Sequence, residues 1–394
     1  MNERRRNLTD VVRLFLKLGV TAFGGPAVHI ALMRDEVVRR RRWLSEQQFL
    51  DLLGVANLIP GPSSTELAIY LGYRRAGGVG LIAAGVAFIL PAMLIVLACA
   101  WGYVTYGALP AVGRIFYGVT PVLIAIIGHA LWGLGRAAIK DVMLGTAAVL
   151  ALALALAGVN VVAVLLGGGI MVMLARVLRH SSAPHAVAML GAPPRVARPP
   201  ADALPLAARA AAVAPGAVSI GLLPLFWMFF KVGATLFGSG YVLLAFLRQD
   251  LVVHLGWLTD RQLLDAIAVG QFTPGPVFTT VTFIGYVLGG LPGAIVATVA
   301  VFLPSFLLVA ATYPFVARLR ASPWASAFLD GVNASAVALM AAVTWQLARA
   351  ALIDPPTVVI AVLALAALVR TTVNSALLIL AGGLVGVAIS VAAR

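Results

Sequence analysis

Long apolar runs separated by short polar stretches set the elements of this chain. In the first half the runs lie near 11–33, 49–72, 79–101, 112–134, 142–158 and 160–176. In the second they lie near 218–247, 262–290, 291–317, 326–352, 355–369 and 372–393. Most have the roughly 20 residues that a helix needs to cross a bilayer, and none shows the period-two alternation of a barrel strand. The pattern predicts an all-α polytopic membrane protein of about 10–12 membrane segments. Residues 1–176 form a first membrane half, 177–215 a Pro-, Ala- and Arg-rich linker, and 216–394 a second membrane half.

The halves are related. Residues 15–62 align without a gap on 229–276, with 19 of 48 positions identical. The matches include Lys17/Lys231, Gly19/Gly233, Gly24/Gly238, Arg34/Arg248, Trp43/Trp257, Asp51/Asp265 and Pro60-Gly61-Pro62/Pro274-Gly275-Pro276. The register then slips by one, pairing Gly80 with Gly293 and Pro91 with Pro304. A duplication inside an apolar chain is the pattern of a transporter whose site lies between its repeats.

Several runs are broken. Phe23-Gly24-Gly25-Pro26 and Phe237-Gly238-Ser239-Gly240 interrupt the first run of each half, and the Pro-Gly-Pro tripeptides interrupt the next. Pro removes a backbone donor and Gly admits positive φ, so each site should end one half-helix and start another. Such backbone survives at membrane depth only inside protein or beside a water-filled cavity. Kinks or close packing are the blander account of the same residues.

Charge adds orientation. Residues 34–51 carry five Arg against four acids, whereas 248–265 carry two Arg against three. Arg74-Arg75 have no counterpart in 285–293. The bias reverses in the next pair, where 101–110 is uncharged and 313–322 holds Arg318 and Arg320. By the positive-inside rule, equivalent loops face opposite sides, which predicts an inverted repeat. Inversion needs an odd number of crossings between copies. The Pro-Gly-Pro segment is therefore expected to be re-entrant, unless the linker adds a crossing. If 11–33 spans fully, however, the Arg-rich N-terminus falls on the side opposite 34–42.

Composition agrees with a membrane protein. The chain is 62% hydrophobic and only 11% charged, with a mean hydropathy of +1.02, against about 25% charged residues in soluble domains. The net charge of +14 sits mostly in Arg at the ends of apolar runs, as in cytoplasmic loops, and does not call for nucleic acid. The single Cys99 makes neither an intrachain disulfide nor a cysteine-based metal site. No cleavable signal peptide, phosphate-binding loop, His/Cys metal set or nucleophile–base constellation is apparent. The sequence therefore calls for no cofactor, no metal and no enzymatic activity.

The candidate chemistry is anion binding. Lys17 and Lys231 sit inside apolar runs, where a charge costs at least about 2.5–3.5 kcal/mol and usually faces a pathway or a counter-charge. Snorkelling to the surface is the alternative. Half-helix N-termini offer free N–H groups and a positive dipole end. Around the breaks, Gly24, Gly25, Gly238, Ser239, Asn57, Gln271, Gly61, Ser63, Gly275 and Thr279 complete a donor-rich, acid-poor inventory. This suits an oxyanion better than a cation. Arg34 and Arg248 are candidate guides at the entry or plain interfacial anchors. Glu66 is either a proton carrier or the partner of Arg74 or Arg75. Asp51 and Asp265 are expected to pair locally with basic residues, and His29 to pack.

These residues resemble the chromate ion transporter family. The resemblance rests on Phe23-Gly24-Gly25-Pro26 with His29, Asn57-Leu58-Ile59-Pro60-Gly61-Pro62, Gly72-Tyr73, Gly77-Gly78 and Pro274-Gly275-Pro276. It covers both halves apart from 177–215 and the extreme termini. It implies a two-half protein of the bacterial cell inner membrane that exports chromate and confers resistance, embedded in the bilayer as a multi-pass protein. The second copy departs at Gly238-Ser239-Gly240, which implies unequal work by the halves. Sulfate or molybdate permeation, an anion channel and a membrane sensor stand as alternatives, and a homodimer stays open.

Overall fold

The structure, a computed structural model, describes residues 3–23, 25–107, 109–180, 221–237, 242–316, 322–371 and 373–392. All regular elements among them are helical. In the first half α1 spans Glu3–Thr21, α2 Pro26–Arg34, α3 Glu46–Ala56, α4 Ser63–Tyr106, α5 Pro110–Ala138, α6 Val142–Leu156 and α7 Val161–His180. In the second, α8 spans Leu222–Thr235, α9 Leu243–Leu247, α10 Asp260–Phe272, α11 Thr280–Thr312, α12 Pro323–Ala351, α13 Pro355–Arg370 and α14 Ser375–Ala392. A π-helical turn follows α2 at Asp35–Arg40 and another follows α9 at Arg248–His254. The structure describes residues 177–180 of the expected linker as the end of α7; the rest of it lies outside the described residues.

The repeat is visible element by element. Capping boxes start α3 (Ser45, Gln48) and α10 (Thr259, Gln262), as the Trp-Leu-Ser/Thr-Glu/Asp clusters lead one to expect. Asp141 and Asp354 cap the equivalent α6 and α13.

Each long helix following a tripeptide is a hairpin. In α4 the backbone leaves helical geometry at Ala76 and Gly77, and Gly77 has φ 67 and ψ −155. Its equivalent Gly290 in α11 has φ 61 and ψ −154. That region is open essentially to glycine alone. The chain reverses there so tightly that a Cβ on Gly72 would overlap the Gly80 carbonyl, and one on Gly285 the Gly293 carbonyl. We call the arms α4a (63–75), α4b (78–106), α11a (280–288) and α11b (291–312).

Two more reversals precede the first of these. Lys17 Nζ lies 2.7 Å from Glu36 Oε1. Had α2 continued the direction of α1, those residues would stand about 28 Å apart along the axis. Thus α1 and α2 fold back on each other at the Gly25 break. Arg75, at the end of α4a, sits over the Trp43 ring at 5.1 Å and 3.7 Å from Asp10. The unit α3–Pro60-Gly61-Pro62–α4a therefore enters and leaves on one side, as a re-entrant hairpin. The expectation that 11–33 is one span is corrected: the run turns back at its break. Asp10 consequently lies on the side of Trp43 and Arg75, which removes the conflict over the Arg-rich N-terminal segment.

The halves run in opposite senses. Along α4a, Glu66, Tyr70 and Tyr73 meet Ser305, Thr312 and Tyr313 in ascending order, so α4a is parallel to α11b. Because α4b reverses α4a, the equivalent arms α4b and α11b are antiparallel, as an inverted repeat requires. The outer helices interlock reciprocally. α6 and α7 pack on α12, while α13 and α14 pack on α5. Arg176 and Lys140 bind Asp330 of α12, and Tyr117 of α5 binds Asp354 beside α13.

Among the described residues, five helices are long and apolar enough to cross a membrane, and four shorter apolar helices accompany them. Large apolar side chains face outward along them, including Ile82, Leu94, Trp132, Val362 and Leu363. Lipid is the solvent that suits such a surface. Inside, one core joins α4b, α5, α10, α11 and α12, and a second gathers α1, α3 and α4a around Phe15, Phe49, Tyr70 and Phe88.

Candidate anion site at the broken helices

Each tripeptide reaches into the other half. The Gly61 N–H donates to Leu236 O at 2.6 Å, and the Gly275 N–H donates to Ala22 O at 2.9 Å. Ala22 and Leu236 are repeat equivalents just past the ends of α1 and α8. The two bonds therefore form one reciprocal exchange across the pseudo-axis. Both glycines have positive φ, 139 and 88. A Cβ on Gly61 would overlap Glu66 Oε1 and stand 2.5 Å from Ser305 Oγ. A Cβ on Gly275 would stand 2.8 Å from Ala92 Cβ and 3.2 Å from Gly19 O. Only hydrogen fits at either tip, so backbone of one half can touch backbone of the other.

Around these tips the structure gathers part of the expected donor set. Gly25, with φ 81, precedes α2. Ser63, Thr65 and Glu66 are buried in the first turn of α4a. Thr279 is buried and donates to Pro276 O, while Gln271 is buried near the end of α10. Asn57 caps the end of α3 and is exposed. Gly24, Gly238 and Ser239 lie outside the described residues.

Among the described residues, the two copies place different polar groups beside the tips. His29 is buried against the Phe88 ring edge, as packing predicts, yet it also bridges the break. Its Nε2–H donates to Ala22 O at 3.1 Å, which leaves Nδ1 to accept from Ser64 at 3.4 Å. In the ungapped frame the equivalents of His29 and Ser64 are Leu243 and Phe278. Leu243, Gln271, Val277 and Thr280 line a small pocket at that mirror position.

The conserved-position cations are already paired. Lys17 binds Glu36, and its equivalent Lys231 binds Asp250 at 2.6 Å. Arg34 binds Glu46 at 2.6 Å, and its equivalent Arg248 binds Asp260 at 2.8 Å and also Gln346 of α12. Lys17 and Lys231 are about half exposed, at 52% and 47%. They are set one turn back from the breaks, since Thr21 and Thr235 donate to the carbonyls of Lys17 and Lys231. Burial works to raise the Glu36 carboxyl, but the hydrogen bonds and charge of Lys17 and Arg41 outweigh it and hold the group below the usual carboxylate range.

Those acidic partners escaped the sequence reading. The signal was present: positions 36/250 and 46/260 hold an acid in both copies, as Glu in one and Asp in the other. Ser305 was missed because its position in the first half is Ala92.

Glu66 does not pair with Arg74 or Arg75. Arg75 engages Asp10 and Trp43, and Arg74 engages Tyr313. Glu66 is 0% exposed and accepts from Ser305 Oγ at 3.3 Å. Asp265 accepts from Tyr103 at 2.8 Å with Arg261 nearby, and Asp51 accepts from Gln47. Among the described residues, no group of acids, His and Cys is arranged to hold a metal ion.

The family described as chromate transporter matches residues 9–173 and again 223–387, one match per half. The chain belongs to the chromate transporter family. It is 36% identical to the chromate transport protein of Cupriavidus metallidurans over 95% of this chain and 91% of that one. It is 35% identical to the probable chromate transport protein of Synechococcus elongatus, over 91% and 89% of the two chains. The chromate transport protein of Pseudomonas aeruginosa is 35% identical over 94% and 90%. No solved structure matches the chain. The two family matches coincide with the two interlocked halves, so the family unit is one set of re-entrant hairpins with the outer helices that follow. The chain is a multi-pass membrane protein of a transporter family.

Proposed function

We propose that this chain exports chromate across a bacterial inner membrane and so confers resistance to it. The observation that carries this reading is the reciprocal meeting of the two Pro-Gly-Pro tips with the ends of α1 and α8. Half-helix N-termini at Gly25 and Ser63 point positive dipole ends into that region, and hydroxyls accompany them. A tetrahedral divalent oxyanion suits such a set of donors. No phosphate-binding loop is apparent in the sequence, which leaves a gradient or a partner as the energy source and supports a transporter of the secondary type, driven by a gradient.

In this reading the anion is held by the backbone N–H groups that open α2 after Gly25 and α4a at Ser63, with Asn57, Gln271 and Thr279 beside them, while Gly61 and Gly275, whose N–H groups bind Leu236 O and Ala22 O, hold the tips together. Gly24, Gly238 and Ser239 belong to the same set by sequence. Lys17, Lys231, Arg34 and Arg248 contribute a positive field that their acids partly cancel. They attract the anion at long range more than they bind it.

Purified protein in proteoliposomes tests the reading. Labelled chromate should exchange across the vesicle wall, and unlabelled sulfate or molybdate should compete. Sulfate exchange that chromate fails to inhibit would assign the protein to sulfate instead. Flux that shows no counterflow would make it a channel.

A further inference from the structure

The first turn of α4a contains two buried polar atoms that have no hydrogen-bond partner among the described residues: Thr65 Oγ1 and Glu66 Oε2. The whole Glu66 side chain is inaccessible. Among the described residues no cation reaches it, and its partner there is the neutral hydroxyl of Ser305, contributed by the opposite half. The carboxyl also lies against Gly61, whose N–H binds Leu236 O of that half. Glu66 therefore sits on the tip, where the halves touch and where a helix N-terminus opens.

The surrounding charges are engaged elsewhere. On α1, Lys17 is held by Glu36 and Asp10 by Arg75. On α2, His29 binds Ala22 O and Ser64, and Arg34 binds Glu46 at the start of α3. On α3, Asp51 accepts from Gln47. On α4a, Tyr70 shares a hydrogen bond with Thr312 of α11b, and Arg74 meets Tyr313. On α10, Asp265 takes the Tyr103 hydroxyl. A carboxylate isolated in this way from water and cations is costly, whereas a neutral carboxylic acid is tolerated. A bound dianion beside it raises the cost of the charged form further.

We propose that Glu66 is the proton carrier of this transporter, protonated while the oxyanion is bound and deprotonated when the site is empty and open to water. Resting on the transport function proposed above, it names the coupling ion. The proton is taken from water on the side where the anion enters and returned to water on the side where it leaves. One proton thus travels with each anion. The linkage is reciprocal: protonation favours the anion and the anion favours protonation, to the same extent. A divalent anion with one proton carries a single net negative charge, which an inside-negative membrane potential drives outward.

Three measurements on proteoliposomes test this. Chromate exchange in the wild type comes first; its absence would remove the proposed function and is recognised separately. Next, a chromate gradient should move protons, read by a pH dye inside the vesicles. Raising pH above the titration of Glu66 should weaken chromate binding by up to about tenfold per unit, the slope of one linked proton. In Glu66→Gln, a neutral near-isostere of the protonated acid, exchange should persist while proton movement and the pH slope disappear. Chromate flux without protons in the wild type overturns the proposal. So does a folded Glu66→Gln protein that keeps its pH slope or loses exchange. Dicyclohexylcarbodiimide provides a test that needs no variant. It adds to protonated carboxyls in apolar surroundings with no leaving group, so it should modify Glu66 in the active wild type. Peptide mass spectrometry showing Glu66 unmodified while transport continues also overturns the assignment.

Discussion

Replacing the tip glycines by alanine should separate stability from transport. Gly61 has φ 139 and Gly275 has φ 88, and forcing a side chain into that region costs about 1–3 kcal/mol at either place. The neighbours differ. A Cβ on Gly61 meets the ends of two side chains, Glu66 Oε1 and Ser305 Oγ, which can rotate away. A Cβ on Gly275 meets Ala92 Cβ and the Gly19 carbonyl, which are fixed to helix backbones. Overpacking against fixed atoms adds about 1–3 kcal/mol. Gly275→Ala should therefore lose about 2–6 kcal/mol, and Gly61→Ala only about 1–3 kcal/mol. Yet Gly61→Ala wedges Glu66 and Ser305 apart at the tip that binds Leu236 O, a separation of the halves that Glu66→Gln does not cause, so its exchange should fall further than its stability. Gly54→Ala is the control: nothing lies within 4 Å of its Cβ, and helix propensity gains about 0.5–1 kcal/mol. Denaturation midpoints in detergent and chromate exchange in vesicles, measured on the same preparations, give both axes. Wild-type exchange by Gly61→Ala, or a larger stability loss there than in Gly275→Ala, would refute the reasoning.

Lys231→Gln should destabilise more than Lys17→Gln, because Glu36 keeps Arg41 and Arg40 while, among the described residues, Asp250 keeps only His254 at 3.7 Å. Both losses should be about 1 kcal/mol or less, since the lysines are half exposed; equal losses in thermal melts would count against this ranking. The Glu36 carboxyl is depressed in the folded protein, so its contribution is full above the ordinary carboxylate range and fades as pH falls through the folded value. A melting curve of Lys17→Gln should accordingly depend less on acid than the wild type, and an identical acid profile would deny the ion pair. Gly77→Ala meets no neighbour within 4 Å and Gly290→Ala only an ordinary contact with Pro292 Cδ at 4.0 Å, so each should lose about 1–3 kcal/mol from backbone strain. A denaturation midpoint at or above wild type would mean that the hairpin turns relax elsewhere.

Most of the architecture was legible because its determinants are local. Apolar run length, the capping residues Ser45 and Thr259, and the Gly and Pro breaks act within a few residues, and the ungapped repeat ties each to a counterpart. The hairpin direction of 11–33 was not legible. A broken run reads the same whether its second part continues or returns, and the choice depends on contacts such as Lys17 with Glu36. Pairing across halves was hidden for the same reason. Ser305 and Glu66 are 239 residues apart, and no local pattern joins them. The lysines drew attention as lone charges in apolar runs, whereas their acids lie in polar stretches where a charge is unremarked.

The divergence of the two copies follows from what each contact requires. The tip glycines, Lys17/Lys231 with their acids and Arg34/Arg248 with theirs are backbone or ion-pair devices, and inversion needs them on both sides. The groups between them are under no such demand. His29 with Ser64 faces Leu243 with Phe278 across the repeat, and Glu66 faces Thr280 in the ungapped frame. A symmetric pair of buried acids would place two mutually repelling charges near one anion. In the proposed transporter one acid, held at one oxygen by a serine from the other copy, carries a single proton at the place where the halves touch. Ser305 corresponds to Ala92 for the matching reason: Ala92 packs on Gly275, where no carboxyl needs a donor. In the proposed transporter the duplicated frame supplies the symmetry, and the residues without a counterpart at its centre supply the chemistry.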